Sequence, residues 1–134
     1  MDNNYKDHKD LDVWKASIDL VVNIYSITKL FPNDELYGLT NQLRRAAVSI
    51  PSNISEGAAR KSSKEFIQFS YIALGSLSEL ETQLIIAEKL NYIGNNDVLF
   101  NEIISIKKMI HGLIRYLRNT DKSIKRVKND SFQT

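Results

Sequence analysis

Apolar residues recur along most of this chain at alternating spacings of three and four, the period of a helix buried on one side. No stretch shows the period of two that a half-buried strand requires. A first stripe of Leu11, Trp14, Ile18, Val21, Tyr25 and Thr28 predicts a helix over 11–31. Asp10 is placed as its N-cap, and Pro32 closes it because the proline ring disfavours helical geometry at the preceding residue. Leu36, Leu39, Leu43, Ala46, Ile50 and Asn53 predict a second helix over 34–56. Pro51 lies inside that stripe, so a kink is expected near residue 47, where a carbonyl loses its donor. Ser52 and Asn53 are placed to satisfy the freed backbone groups, and Gly57 is a suitable terminator.

Ser62 and Glu65 have the spacing of a capping box and open a third helix over 63–90. Its seam reads Phe66, Ser70, Ala73, Leu77, Leu80, Leu84 and Ala87, with Asn91 and Gly94 available for the exit. Asn95, Asn96 or Asp97 caps a fourth helix over 97–119, with the seam Leu99, Ile103, Ile106, Ile110, Leu113 and Leu117. Residues 1–10 form a polar N-terminal segment, and 120–134 read as a basic, frayed tail. Four helices joined by short connections predict an all-α fold, an antiparallel up-and-down four-helix bundle with the seams inside. A second apolar stripe lies on the first helix (Leu20, Ile24, Ile27, Phe31) and another on the third (Ile67, Tyr71, Leu74, Ile85). Each reads either as a wide face filling a globular core or as a subunit interface.

With 134 residues the chain fits one domain, and its 43% apolar and 25% charged residues match a globular protein rather than a disordered one. No apolar run approaches the roughly 18 residues of a spanning helix, and the polar N-terminus lacks the apolar region of a signal peptide. The absence of cysteine excludes disulfides, thiolate metal sites and cysteine nucleophiles, and fits a reducing, cytoplasmic setting.

The net charge of +2 conceals an alternation of blocks: −3 over 1–37, +4 over 38–64, −5 over 65–102 and +6 over 103–134. Because the blocks follow the helices, their first meaning is complementarity between neighbouring helices, and their second an electropositive surface for a polyanion. Arg60, Lys61 and Lys64 cluster before the third helix; Lys107, Lys108, Arg115 and Arg118 lie along the fourth. These seven are the candidate nucleic-acid-binding residues, although Arg115 and Arg118 also complement the dipole at a helix C-terminus.

No catalytic, cofactor or metal site is recognisable, and no small-molecule substrate or membrane partner is expected. Di-iron bundles need Glu-x-x-His pairs, whereas His8 and His111 have no carboxylate at ligand spacing. None of the five glycines sits in a phosphate loop or nucleophile elbow; Gly75 reads as a close helix contact. Glu79, Glu81 and Glu88 flank the third seam without a base or nucleophile beside them. For Glu79 and Glu81 the expected partners are Arg44 and Arg45 on the second helix, as structural ion pairs fixing register. Trp14 and Tyr25 are expected in the core.

The run Tyr37-Gly38-Leu39, then Gln42-Leu43-Arg44-Arg45-Ala46-Ala47-Val48-Ser49-Ile50-Pro51-Ser52-Asn53-Ile54-Ser55-Glu56-Gly57 and Arg60, is distinctive. With Val13-Trp14-Lys15, Phe31-Pro32, Glu65-Phe66, Phe69, Gly75-Ser76-Leu77 and Glu79-Leu80-Glu81-Thr82-Gln83-Leu84, it resembles the four-helix bundle protein family encoded in intervening sequences of bacterial 23S ribosomal RNA genes. The resemblance spans residues 11 to about 118 and implies a bundle assembled as a homo-oligomeric ring, a pentamer above all, with no enzymatic activity. That family is similar to the basic accessory protein of diversity-generating retroelements, which implies RNA or nucleoprotein as a partner. Two functions follow as expectations: an oligomeric nucleic-acid-binding accessory, or a protein-interaction module whose charge blocks pair among helices and subunits.

Overall fold

The computed structural model describes the backbone of residues 8–132 and the side chains of residues 8, 9 and 11–120. Most of the polar N-terminal segment and the last two residues lie outside the described residues. Among those described there are four α-helices and no strand: α1 Asp12–Thr28, α2 Leu39–Ala58, α3 Ser63–Lys89 and α4 Asp97–Phe132, with 3-10 turns at His8–Asp10 and Asn33–Glu35. The chain is an all-helical bundle, and no helix among the described residues is long and apolar enough to cross a membrane.

The buried face of α1 is Val13, Ser17, Leu20, Ile24 and Thr28, continued by Phe31 after the helix ends. That face lies about 100° from the predicted stripe, one residue's rotation. Leu20, Ile24 and Phe31, read as a second stripe, are core residues; Trp14, Ile18 and Val21 are half-buried beside α2 and Tyr25 is exposed. The core face carries two hydroxyls that disguise it. Ser17 donates to the Val13 carbonyl at 2.6 Å and Thr28 to that of Ile24 at 2.7 Å, so neither is left unpaired. The helix starts behind Leu11, whose side chain makes no capping bond, rather than behind Asp10.

The turn at Asn33–Glu35 delays α2 to Leu39, because Gly38 (φ −114°, ψ −114°) is outside helical geometry, and Leu36 is left exposed. From there α2 runs without a break through a buried Pro51. Asn53 donates its amide to the Ser49 carbonyl at 2.7 Å, not to the Ala47 carbonyl that Pro51 leaves without a backbone donor, so the expected satisfaction of the freed group is not what this bond provides. Gly57 does not terminate α2 but lies in its last turn, buried.

Ser62 caps α3, its hydroxyl accepting from the Glu65 N–H at 3.2 Å, and all seven predicted seam residues are buried. Asn91 adopts the left-handed conformation (φ 61°) that ends the helix. Its N–H bonds the Glu88 carbonyl and that of Tyr92 bonds Ala87, each at 3.0 Å, the paired bonds of a Schellman exit. Asn96 caps α4 by accepting from the Leu99 N–H at 3.1 Å. The α4 seam is as predicted except that Ile114 takes the buried place expected for Leu113. With no proline and only Gly112 inside it, α4 continues to Phe132, past residue 119 where the apolar pattern lapses.

α2 and α3 approach one another closely at Gly57. A Cβ on Gly57 would lie 2.7 Å from Phe66 Cδ1 and 2.9 Å from Phe69 Cβ, whereas one on Gly75 would meet nothing within 4 Å. Gly75 is therefore not a close contact within this chain, and the two glycines should respond oppositely to the same change. Gly75→Ala is expected to raise stability by about 0.5–1 kcal/mol through helix propensity. Gly57→Ala should lower it by about 1–3 kcal/mol through overpacking, despite the same propensity gain. Urea melts of the two variants measure both; equal shifts of one sign would show that α2 and α3 are not so closely packed.

Candidate nucleic-acid interface

The seven candidate cations form two groups that α3 brings together. Arg60 and Lys61 precede α3 and Lys64 lies in its first turn, all exposed. The Arg60 guanidinium lies over the Phe69 ring, 5.1 Å from its centre. On α4, Lys107, Lys108, Arg115 and Arg118 fall, at 100° per residue, within an arc of about 100°. These four give the fourth helix one basic stripe, and exposed His111 lies inside the same arc. Spacings of one, three and four among these residues make that stripe legible in sequence, although reading the cations as clusters conceals it.

The α4 stripe reaches the first third of α3 at its far end. Arg118 Nη2 donates to the Tyr71 hydroxyl at 2.6 Å, and its guanidinium carbon lies 5.7 Å from the centre of that ring. Phe69 and Tyr71 are two residues apart and thus on opposite flanks of α3. Arg60 and Arg118 therefore bracket the first third of α3 from both sides. Lys107 has a different role: its ammonium pairs with Glu81 at 3.3 Å, tying α4 to α3.

The expected ion pairs between α2 and α3 do not form. Arg44 turns toward α1, donating from Nε to the Thr28 hydroxyl at 2.9 Å and stacking 4.6 Å from the centre of the Tyr25 ring. One residue on, Arg45 is rotated by 100° and lines a cleft opposite Glu79. Among the described residues neither arginine forms an ion pair with Glu79 or Glu81. Glu81 is taken by Lys107, and Glu79 Oε1 accepts from Gln83 at 3.2 Å. The cause is register: the approach at Gly57 sets Ser49 against Ser76 at 2.8 Å, which leaves open space between Arg45 and Glu79.

A family model described as 23S rRNA-intervening sequence protein matches residues 9–112. No curated protein matches the chain. The match takes in Arg60, Lys61, Lys64, Lys107 and Lys108 and stops short of Arg115 and Arg118.

The Arg44 contacts make a separable prediction about stability. Arg44→Ala should cost about 1–2 kcal/mol in a chemical melt, from one hydrogen bond and one cation–aromatic contact. Arg44→Lys should restore little of it, since an ammonium cannot both stack on Tyr25 and donate to Thr28 in that geometry. A full rescue by lysine would show that charge alone matters there.

Proposed function

The chain belongs to the 23S rRNA-intervening sequence protein family, and on that premise we propose that it is a non-enzymatic, self-assembling bundle that binds RNA through phosphate contacts. The observation that carries this reading is the bracketing of the first third of α3 by Arg60 and Arg118, with Lys61 and Lys64 exposed at the same end of the helix. Guanidinium groups laid on Phe69 and Tyr71 hold a fixed direction without losing their charge, and exposed aromatic edges offer stacking surface beside them. Phosphate contacts of this kind position a strand without reading its sequence.

In this reading the helices alternate up and down. Support comes from the contacts themselves: Gly57 meets Phe66 while Ser49 meets Ser76, and Lys107 meets Glu81 while Arg118 meets Tyr71, so residue numbers rise on one partner as they fall on the other. The competing role, a module whose charge blocks merely pair among helices, is favoured by the Lys107–Glu81 bridge. Among the described residues Lys107 is the sole member of the seven engaged in such a pair.

Self-association draws on apolar surface that the core does not use. Leu30 is 77% exposed and Val98 80% exposed, on either side of a groove between α1 and α4 that Asn23 bridges to Glu102 at 3.0 Å. Ile24, in contrast, is fully buried, so a charge there would unfold the bundle rather than split an assembly. A closed ring, the pentamer that the resemblance implies, would repeat the basic end of each bundle and multiply weak phosphate contacts.

Light scattering at micromolar concentration should return a multiple of the 15.4 kDa chain mass. Leu30→Asp with Val98→Asp should return 15.4 kDa with helicity unchanged; a wild-type mass of 15.4 kDa would remove the assembly.

Anisotropy titrations with a mixed-sequence single-stranded RNA should show log affinity falling with log salt, at a slope near −0.7 per phosphate neutralised. Arg60→Glu with Arg118→Glu should weaken binding to every sequence and lower the slope, leaving melting nearly unchanged. No retention of RNA at about 50 mM salt, or binding indifferent to salt and to these reversals, would favour the charge-pairing module instead.

A further inference from the structure

A second feature of the surface is neither basic nor apolar. Between α2 and α3 a cleft of about 580 Å³ opens, in the range of roughly 300–1,000 Å³ typical of small-ligand sites. Asn41, Arg45 and Ser49 line it from successive turns of α2, Ser76 and Glu79 from α3, and Tyr37 from the turn before α2. Its floor is saturated. The Asn53 amide donates to the Ser49 hydroxyl at 2.9 Å, Ser49 and Ser76 share a bond of 2.8 Å, and Ser76 donates to the Ile72 carbonyl at 3.2 Å. Bonding capacity is left on the walls, where Arg45 and Glu79 face one another without pairing. Glu79 is held in place from behind: Gln83, a buried residue, donates to its Oε1 at 3.2 Å. Tyr37 is 92% exposed, with its ring open to solvent.

This combination selects its ligand by exclusion. A free anion drawn to Arg45 meets the Glu79 carboxylate across the cleft, and a cation drawn to Glu79 meets the guanidinium. The occupant must offer an anionic group at one end, a pair of N–H donors at the other and a flat face for Tyr37. Among the four RNA bases, guanine has a Watson–Crick edge with two adjacent donor groups, N1–H and N2–H₂, which a carboxylate accepts together. We infer that the cleft between α2 and α3 takes one guanine nucleotide of a single-stranded RNA, the base stacked on Tyr37 and bonded to Glu79, its phosphate on Arg45. The inference rests on the RNA-binding reading and adds base selection to it. Arg60 lies eleven residues beyond Ser49, roughly 16 Å along α2 and its exit, so a single strand can meet both cleft and basic end.

Three labelled oligonucleotides of equal length separate the two readings: all-uridine, the same strand with one central guanosine, and the same with inosine there, which lacks the 2-amino group. The guanosine strand should bind about tenfold more tightly than the uridine strand, and inosine should lose most of that gain. Glu79→Gln should bring guanosine and uridine strands within about twofold of each other. Tyr37→Ala should do likewise, whereas Tyr37→Phe should retain the preference. Arg60→Glu with Arg118→Glu should weaken all three strands alike and leave their ratio unchanged.

Equal binding of the three strands, with the salt dependence intact, overturns the guanine cleft and leaves the phosphate-binding end standing. Failure of every strand to bind at about 50 mM salt overturns both. A loss of oligomer mass in Glu79→Gln or Arg45→Ala, with no base preference in the wild type, would assign the cleft to a neighbouring chain and also overturn the inference.

Discussion

Without a Cβ on Gly57, the last turn of α2 can lie against Phe66 and Phe69 of α3; with one, the nearest ring carbon would be 2.7 Å away. That single approach fixes the register of the pair. It sets Ser49 against Ser76 two turns earlier, and from there the rotation of α2 decides where each arginine goes. Arg44 faces α1 and becomes a packing residue on Tyr25 and Thr28; Arg45 faces α3 and becomes a surface residue. Adjacent, chemically identical side chains thus acquire unrelated roles from 100° of helix rotation.

The polar residues inside the bundle obey the same geometry. Ser17, Thr28, Ser70 and Ser76 each return a hydroxyl proton to the carbonyl four residues back, so small hydroxyls pack in the core without an unpaired donor. Gln83 departs from this pattern. Its Nε2 reaches Glu79, but its buried Oε1 has no partner, a desolvation cost of about 1–3 kcal/mol that an apolar residue would avoid. What the amide provides in return is a fixed carboxylate on the wall of the cleft.

How much of this could be read from the sequence depended on whether one apolar stripe was clearly the more regular. On α3, seven seam residues with no competitor of equal regularity were all found buried, and Ser62, Asn91 and Asn96 act at the helix ends where their spacing placed them. On α1 two stripes compete, and the large side chains Trp14 and Tyr25 outweighed a true core face diluted by Ser17 and Thr28. The helix limits at 34 and 119 followed hydrophobicity, whereas the backbone follows local geometry: Gly38 holds off α2, and nothing breaks α4 before Phe132. The candidate cations were legible as residues but not as a surface. Arg60 and Arg118 are far apart in sequence, and only folding onto Phe69 and Tyr71 makes them neighbours of the same helix end. The cleft was illegible because its walls come from a turn and two helices whose register depends on Gly57.

The length of α4 bears on the RNA-binding reading. It has 36 residues against 27 in α3, about 54 Å against 40 Å, and Arg118 already meets Tyr71 near the start of α3. The stretch beyond Thr120 therefore continues from the end of the bundle where the cations gather, and its sequence adds Lys122, Lys125, Arg126 and Lys128. Like charges close together on a helix oppose its formation. Phosphates bound at that end would relieve the repulsion, so helix stability in α4 and affinity for a polyanion would rise together. By the reciprocity of linked equilibria, conditions that strengthen this helix should also tighten binding, to the extent that the bound phosphates interact with its charges.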